Sequence, residues 1–237
     1  MKAMIFAAGE GTRLRPLTLT RPKALVEVGG EPMIARVLKS LSRAGVEQVV
    51  VNVHYLGDML AGYLRSHDFG LEIEVADESG RLLDTGGGLL AARRLLEGDE
   101  PILLHNADIC TDLDLRRLEL QGDATLLVSD RASSRRLVFS RDDMRLTGWV
   151  NELTGQVKGE ADGLRRAFNG IHIVSPSIFP ALEEYSRTVG SDIFSLTPFY
   201  VAMAGRLDIR GAEPGGYRWH DIGSIQKLEA AEADFAS

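Results

Sequence analysis

The chain has 237 residues, and its hydrophobic and charged fractions of 44% and 26% are ordinary for a globular domain with a sizeable core. Its net charge of −7 argues against general nucleic-acid binding, and no apolar run approaches the roughly 18 residues of a membrane span. The single cysteine, Cys110, cannot form an internal disulfide and fits a reducing compartment, so we expect a cytoplasmic protein.

Predicted strands and helices alternate along the first half of the chain, where apolar or β-branched runs indicate strands and amphipathic spacing indicates helices. This alternation predicts βαβ units and an α/β fold, with a mostly parallel sheet between helices. The predicted strands are 2–7, 46–55, 71–75 and 101–106, and the predicted helices are 32–44, 57–66 and 87–96.

The second half of the chain is less regular. Its closely spaced strands indicate antiparallel pairing, so the simplest interpretation is one domain over 1–237: an α/β part over about 1–130, an antiparallel lobe over about 131–220 and a terminal helix at 224–235. The predicted elements are strands 124–129, 137–140, 144–150 and 167–174, a helix beginning near 175, and strands 207–210 and 217–221.

The first strand leads into the loop AAGEGTRLRPLTLTRPKAL, which is rich in glycine, arginine and proline. Gly9 and Gly11 permit positive φ and a close approach of backbone N–H groups to a phosphate, although a plain strand-to-helix turn also explains two glycines. A dinucleotide fingerprint needs a third glycine where this chain has Leu14, and the Gly-Lys-Ser/Thr of a Walker loop is absent. The prolines predict an extended loop that presents Arg13 and Lys23 to a polyanion.

This loop resembles the signature of the sugar-1-phosphate nucleotidyltransferases, and the likeness extends to DTGGG at 84–88, to an aspartate after a central strand and to WHDIG at 219–223. The resemblance implies a Rossmann-like three-layer α/β/α fold with a mostly parallel mixed sheet and a small antiparallel sugar-binding lobe. It also implies the reaction of an NTP with a sugar 1-phosphate, which gives an NDP-sugar and pyrophosphate. The expected partners are therefore these two substrates, with no nucleic acid and no membrane, in a monomer or small homo-oligomer.

The same resemblance implies roles for residues of the glycine loop. It assigns the NTP phosphates to the backbone around four residues, the departing pyrophosphate to Arg13, and the α-phosphate and sugar phosphate to Lys23. The four backbone positions are Ala8, Gly9, Gly11 and Thr12.

Two aspartates far apart in the sequence are the implied Mg²⁺ ligands. Asp108 follows the strand at 101–106, and Asp221 ends the strand at 217–221. Each alone could be an ordinary turn residue, but Mg²⁺ commonly takes one or two carboxylates together with substrate phosphates. The Gly-Asp usual in the family is Ala107-Asp108 here.

The base and sugar contacts are also expectations from the resemblance. Gly86 and Gly87 are the candidate base contacts, with glycine N–H groups expected to pair with the base edge, and Asn106 is a further candidate nucleotide contact. The DTGGG form is most similar to the N-acetylmuramate-1-phosphate uridylyltransferases, so UTP is the predicted donor. The alternatives are a mannose-1-phosphate guanylyltransferase-like enzyme that uses GTP and, in another class, a non-catalytic nucleotide-binding regulatory protein.

The sugar lobe departs most from the family pattern, because no lysine stands near residues 151–152, where many members carry Glu-Lys-Pro. Lys158 is a candidate substitute, and a solvated loop lysine is the alternative. Asn151, Asn169 and Gly170 are the candidate sugar contacts.

Overall fold

The computed structural model describes residues 1–235, and a mixed sheet forms its centre. The strands are β1 (Lys2–Phe6), β2 (Glu27–Val28), β3 (Glu31–Pro32), β4 (Gln48–Val53), β5 (Glu72–Asp77), β6 (Ile102–Asn106), β7 (Ile109–Thr111), β8 (Ala124–Ser129), β9 (Arg135–Phe139), β10 (Leu146–Asn151), β11 (Val157–Gly159), β12 (Leu164–Val174), β13 (Ile209–Ala212) and β14 (Trp219–Asp221). The strand order in the central sheet is β11-β10-β9-β12-β6-β1-β4-β5, with β8 also paired to β12 and β13 paired to β8.

Helices cover both faces of the sheet. They are α1 (Met33–Arg43), α2 (Gly57–Ser66), α3 (Asp84–Ala91), α4 (Ile178–Val189), α5 (Leu196–Met203) and α6 (Ile225–Phe235). Within residues 1–235, no helix combines the length and apolarity that a bilayer crossing requires.

Alternation along β1 shows how two cores form around one sheet. Ala3 and Ile5 pack with α1 and α2, whereas Met4 between them packs with α3, α4 and α5. Successive side chains of a strand point to opposite faces, so a strand buried on both faces must be apolar throughout. All three residues are fully buried, and each large side chain buried in this way contributes roughly 1.5–3 kcal/mol.

The parallel part of the sheet consists of β5, β4, β1 and β6, and β12 joins the other edge of β6 in the antiparallel sense. The lobe strands β9, β10 and β11 continue from β12 as an antiparallel sheet. This arrangement confirms the predicted α/β fold with its mixed sheet and small antiparallel part. The parallel strands all end at one edge, where α/β folds bind their ligands.

Two local predictions were wrong. The helix expected at 87–96 begins at Asp84, so Gly86, Gly87 and Gly88 lie inside α3 rather than ahead of it. The loop after β1 is not extended: it forms three short 3₁₀ turns, at Thr12–Leu14, Leu17–Leu19 and Lys23–Leu25. The prolines exclude an α-helix there, but a fixed φ near −65° is compatible with 3₁₀ turns as well as with extended chain.

Candidate active site

A cleft of about 340 Å³ opens at the carboxyl ends of β1 and β6. Ala8 and Gly9 line it from the loop after β1, Asn106 and Asp108 from the end of β6, and Lys23 from the third 3₁₀ turn. These residues were all predicted from the sequence as parts of one site. The strand order explains why they meet, since β1 and β6 are parallel neighbours that end level with each other.

Gly9 and Gly11 have different surroundings. A Cβ added at Gly9 would meet no atom within 4 Å, so the backbone there is open to the cleft. Gly11 has φ +64° and caps the first 3₁₀ turn, and a Cβ there would lie 3.0 Å from Cβ of Lys23. Gly11 thus lets the loop fold back against Lys23, and the exposed Thr12 begins the turn beside it.

A short antiparallel pair of strands brings the two candidate metal ligands together. In the β7–β14 pair Asp221 lies opposite Ile109, and the N–H of Ile222 donates to the carbonyl of Asp108 at 2.8 Å. The two aspartates are 113 positions apart in the sequence, yet they occupy adjoining positions beside the cleft. Both side chains are partly exposed, each at 28%.

Each carboxylate has cationic neighbours. Lys23 Nζ lies 2.5 Å from Oδ2 of Asp108, and Lys227 at the start of α6 forms an ion pair with Asp221. Arg13 approaches the same end: a Cβ added at Gly223 would lie 2.6 Å from Oδ1 of Asp221 and 3.3 Å from Nη2 of Arg13. Both predicted catalytic cations therefore lie next to the predicted metal carboxylates.

The donor set at this edge fits Mg²⁺. Among residues 1–235 no group of three or more His, Cys, Asp or Glu side chains could hold a metal. A carboxylate pair that a phosphate-rich substrate completes is the arrangement this hard cation commonly uses. Asp108 and Asp221 are thus the residues that fit it, and their lysine partners balance the two negative charges.

The triple glycine of α3 serves close packing. A Cβ would lie 2.4 Å from the ring of Phe194 if added at Gly86, and 2.0 Å from the carbonyl oxygen of Asp192 if added at Gly87. The N–H groups of both glycines donate to the carbonyl of Phe194, at 2.8 and 3.1 Å. The expectation that these two N–H groups pair with a base edge is therefore corrected, because an internal carbonyl already accepts them.

Other residues form this wall of the cleft. Asp84 and Thr85, at the start of α3, line it together with the apolar side chains Leu82 and Ile193. Leu82 and Ile193 are 36% and 42% exposed, and their position in the lining of the cleft suits them to contact the faces of a planar ring. Sequence reasoning missed both, since a lone leucine or isoleucine in a loop carries no signal.

A buried polar pair, of which Asn52 lines the cleft, was also missed. The side-chain oxygen of Asn52 accepts the N–H of Ala7 at 2.7 Å, and its nitrogen donates to Oε1 of Glu78 at 2.8 Å. Oε2 of Glu78 accepts the N–H of Leu83 at 3.0 Å. The pair therefore fixes the beginning of the loop after β1 and the end of the loop before α3, which both border the cleft. The asparagine inside VVVNV was the available signal, because a polar residue in a fully buried strand needs a partner.

Of the three predicted sugar contacts, Asn169 and Gly170 pack inside the protein, and Asn151 lines a cleft. Asn169 is only 1% exposed and its amide bonds internally. Gly170 has φ +76°, and Nδ2 of Asn106 lies 2.9 Å from where its Cβ would be, so it packs against protein. Asn151 does line a second cleft, where its side-chain oxygen also accepts N–H groups of the β10–β11 turn. The expectation that Asn169 contacts the sugar directly is therefore corrected, since other protein groups already occupy its hydrogen-bonding atoms.

The nucleotidyl transferase family model matches residues 2–122, which contain the glycine loop, Lys23 and Asp108. This chain belongs to the nucleotidyl transferase family. The membership confirms the resemblance that the sequence motifs indicated, and it makes the protein an enzyme of that class.

Relatives that align over nearly the whole of this nucleotidyl transferase extend the likeness to the lobe. An N-acetylmuramate α-1-phosphate uridylyltransferase of Caulobacter vibrioides is 36% identical over 99% of this chain and 96% of its own. A mannose-1-phosphate guanyltransferase of Aspergillus fumigatus is 33% identical over 94% of this chain and 61% of its own. A CTP:phosphocholine cytidylyltransferase of Streptococcus pneumoniae shares the fold at 21% identity, with a TM-score of 0.76 over 98% of each chain.

Proposed function

We propose that this nucleotidyl transferase moves a nucleotidyl group from UTP to a sugar 1-phosphate, giving a UDP-sugar and pyrophosphate. The observation that carries the proposal is the convergence of Lys23, Asp108, Arg13 and Asp221 at one edge of the cleft. The uridylyltransferase relative, which aligns over nearly the whole of both chains, supports UTP as donor and N-acetylmuramate 1-phosphate as acceptor.

The donor half of the site is formed mainly by residues 1–130, and Ile193 joins it from the segment before α5. The open backbone at Ala8 and Gly9 accepts the triphosphate, and the apolar side chains Leu82 and Ile193 hold the base between them. Burial of a planar ring against apolar side chains stabilises the complex without fixing the base identity. Thr85 and Asn106 line the same cleft and supply the polar groups that can read the base edge.

The chemical step needs positioning and charge neutralisation rather than a base. The attacking oxygen of a sugar phosphate is already ionised, so no side chain has to remove a proton from it. Lys23 orients the α-phosphate, and Arg13 stabilises the negative charge that develops on the leaving pyrophosphate. Preorganised charges of this kind act where charge develops in the transition state and so raise kcat.

Asp108 and Asp221 would hold Mg²⁺ in this proposal. When bound, the cation would neutralise the phosphates of both substrates as they meet. The two carboxylates keep their mutual position through the β7–β14 pairing, and their lysine partners remain close enough to contact phosphate instead. We place the acceptor sugar in the lobe formed by about 131–220, next to this edge.

A pyrophosphate-release screen tests the proposal. UTP, GTP, CTP and dTTP are each paired with N-acetylmuramate, N-acetylglucosamine, glucose and mannose 1-phosphates, with Mg²⁺ present. We expect UTP with N-acetylmuramate 1-phosphate to give the highest kcat/KM, at least about tenfold above any GTP pair, or ~1.4 kcal/mol. Release without a sugar 1-phosphate, or no release with any pair, contradicts the proposed reaction.

The second candidate is a guanylyltransferase that uses mannose 1-phosphate. The Aspergillus fumigatus relative favours it at 33% identity. A guanine ring needs a deeper slot than a pyrimidine and presents a different pattern of donors and acceptors, so one cleft rejects the wrong base by leaving polar groups unpaired. GTP with mannose 1-phosphate as the best pair in the screen would select this candidate.

A further inference from the structure

A second cleft, of about 470 Å³, lies between the lobe strands and α5. Three cationic residues line it, and they are Arg131, Arg135 and Lys158. Ser195 joins the two clefts, because it lines this one while its hydroxyl donates to Asp84 of the first at 2.5 Å. In a chain of net charge −7, a group of three cations in one cleft favours an anionic ligand.

Arg131 is held in place more firmly than a surface arginine. Its Nε donates to Oδ1 of Asn169 at 2.8 Å, and its Nη2 donates to the carbonyl of Phe168 at 2.7 Å. The guanidinium stacks on the ring of Trp219 with 4.2 Å between Cζ and the ring centroid. A guanidinium has five N–H groups, so donors remain for a ligand in the cleft even when a long contact to Ala132 is counted.

The side chain of Asn169 holds this arginine in position. Its oxygen accepts from Arg131, and its nitrogen donates to the hydroxyls of Ser129 and Tyr217, both at 3.1 Å. Because the residue is buried and its amide is occupied on both sides, its orientation is fixed. Both polar atoms of the Asn169 side chain therefore have internal partners.

The stacking partner places Arg131 on the side of the candidate metal site. Trp219 and Asp221 are two positions apart on β14, and alternate residues of a strand share a face about 7 Å apart. A guanidinium that covers the Trp219 ring therefore lies on the same side of β14 as the Asp221 carboxylate. Burial lowers the pKa of Arg131 and the negative charge of Asp221 opposes that shift, which fits this proximity.

We propose that Arg131 binds the phosphate of the acceptor, with Asn169 and Trp219 as positioning residues. This rests on the proposed function and adds a residue that the sequence motifs do not indicate. A preorganised, half-buried guanidinium forms bidentate contacts with a phosphate at little further entropic cost. Lys158, the substitute suggested by the sequence, is exposed on β11 with its ammonium 5.8 Å from the Trp149 centroid, so it lies at the rim.

The test compares four variants of the full chain: Arg131→Gln, Arg131→Lys, Lys158→Gln and Arg141→Gln. Arg141 is the matched control, because it is a 62% exposed arginine of the same lobe, outside both clefts. KM is measured for UTP and separately for N-acetylmuramate 1-phosphate, or for whichever pair the screen selects. Inhibition by inorganic phosphate against the acceptor gives a second readout, and circular dichroism with Tm reports folding.

We expect Arg131→Gln to raise the acceptor KM about 30-fold or more and to weaken inhibition by phosphate, while KM for UTP changes less than about threefold. Arg131→Lys should lose less, since lysine keeps the positive charge but lacks the planar guanidinium that binds phosphate through two N–H groups. It serves as the informative variant if Arg131→Gln does not fold. Arg141→Gln stays near the wild type, and Lys158→Gln raises the acceptor KM less than Arg131→Gln does, because Lys158 lies at the rim of the cleft.

Three results would overturn the assignment. They are an unchanged acceptor KM in a folded Arg131→Gln, an equal rise in both KM values, and a larger acceptor effect from Lys158→Gln than from Arg131→Gln. If the wild type is active and any of these results is found, Arg131 is not part of the acceptor site, but the proposed function is unaffected. If the wild type is inactive with every substrate pair, the proposed function is wrong, and the assignment of Arg131 is then wrong as well.

Discussion

Substitution of Gly87 by alanine should destabilise the protein, although alanine is the better helix former. An added Cβ would lie 2.0 Å from the carbonyl oxygen of Asp192, well inside the 3.4 Å at which ordinary van der Waals contact begins. The neighbouring atom is backbone, so the segment at 192–194 must move. That movement also strains the hydrogen bonds from Gly86 and Gly87 to the Phe194 carbonyl.

The magnitude follows from three terms. Overpacking against backbone costs roughly 1–3 kcal/mol, and two weakened hydrogen bonds cost about 0.5–1.5 kcal/mol each. The higher helix propensity of alanine offsets about 1 kcal/mol of this cost. These terms sum to a net loss of about 1–5 kcal/mol in the free energy of unfolding, and Tm should fall by roughly 2–4 °C for each kcal/mol lost. KM for the NTP should rise as well, because the displaced segment carries Ile193 on the cleft wall.

Urea unfolding and thermal unfolding measure the effect, and Gly62→Ala is the matched control. Gly62 also lies inside a helix, α2, but a Cβ there would meet no atom within 4 Å. The control should therefore gain about 0.5–1 kcal/mol from propensity alone. If Gly87→Ala is as stable as the wild type, or gains stability as Gly62→Ala does, then α3 is not packed against the 192–194 segment as described.

The remaining predictions concern charge. Lys23→Ala should lower kcat by about 10²–10³, the usual loss for one preorganised donor, and a rise in KM alone would make Lys23 a binding residue. Asp108→Asn and Asp221→Asn should each abolish Mg²⁺-dependent pyrophosphate release at unchanged circular dichroism, and near-normal turnover would remove that residue from the metal site. Burial lowers the pKa of His105 to about 4 and of His172 to about 3. Since both histidines protonate near pH 6.5 when unfolded, the unfolded state binds more protons below that pH. The free energy of unfolding should thus fall from pH 6.5 to pH 5 by up to ~1.4 kcal/mol per pH unit for each histidine, and a flat profile from urea titrations would contradict their burial as neutral groups.

Elements with strong local patterns were predictable from the sequence. Helix α2 has the predicted bounds, and β4 was evident from VVVNV, because these elements follow from side-chain periodicity and β-branched content. The edge of the sheet where Lys23 and Asp108 meet was predictable for a related reason: parallel neighbouring strands end together.

Contacts that depend on the folded neighbourhood were not predictable. The start of α3 was misplaced because Gly86 and Gly87 have low helix propensity, whereas the close approach of 192–194 requires them inside the helix. The hydrogen bonding of Asn169 depends on Ser129 and Tyr217, which lie 40 and 48 positions away in the sequence. Sequence motifs identified these residue types as polar or small but could not show that internal partners already use them.

The most direct test of nucleotidyl transfer follows the phosphorus atoms of the donor. Wild-type protein is incubated with Mg²⁺, the best sugar 1-phosphate from the screen, and UTP labelled with ³²P at either the α or the γ position. We predict that the α label appears in the UDP-sugar and the γ label in pyrophosphate, and that Asp221→Asn forms neither product. Label from the α position in UMP or UDP without a UDP-sugar, or γ label in inorganic phosphate or on the sugar, would contradict the reaction proposed for this cleft.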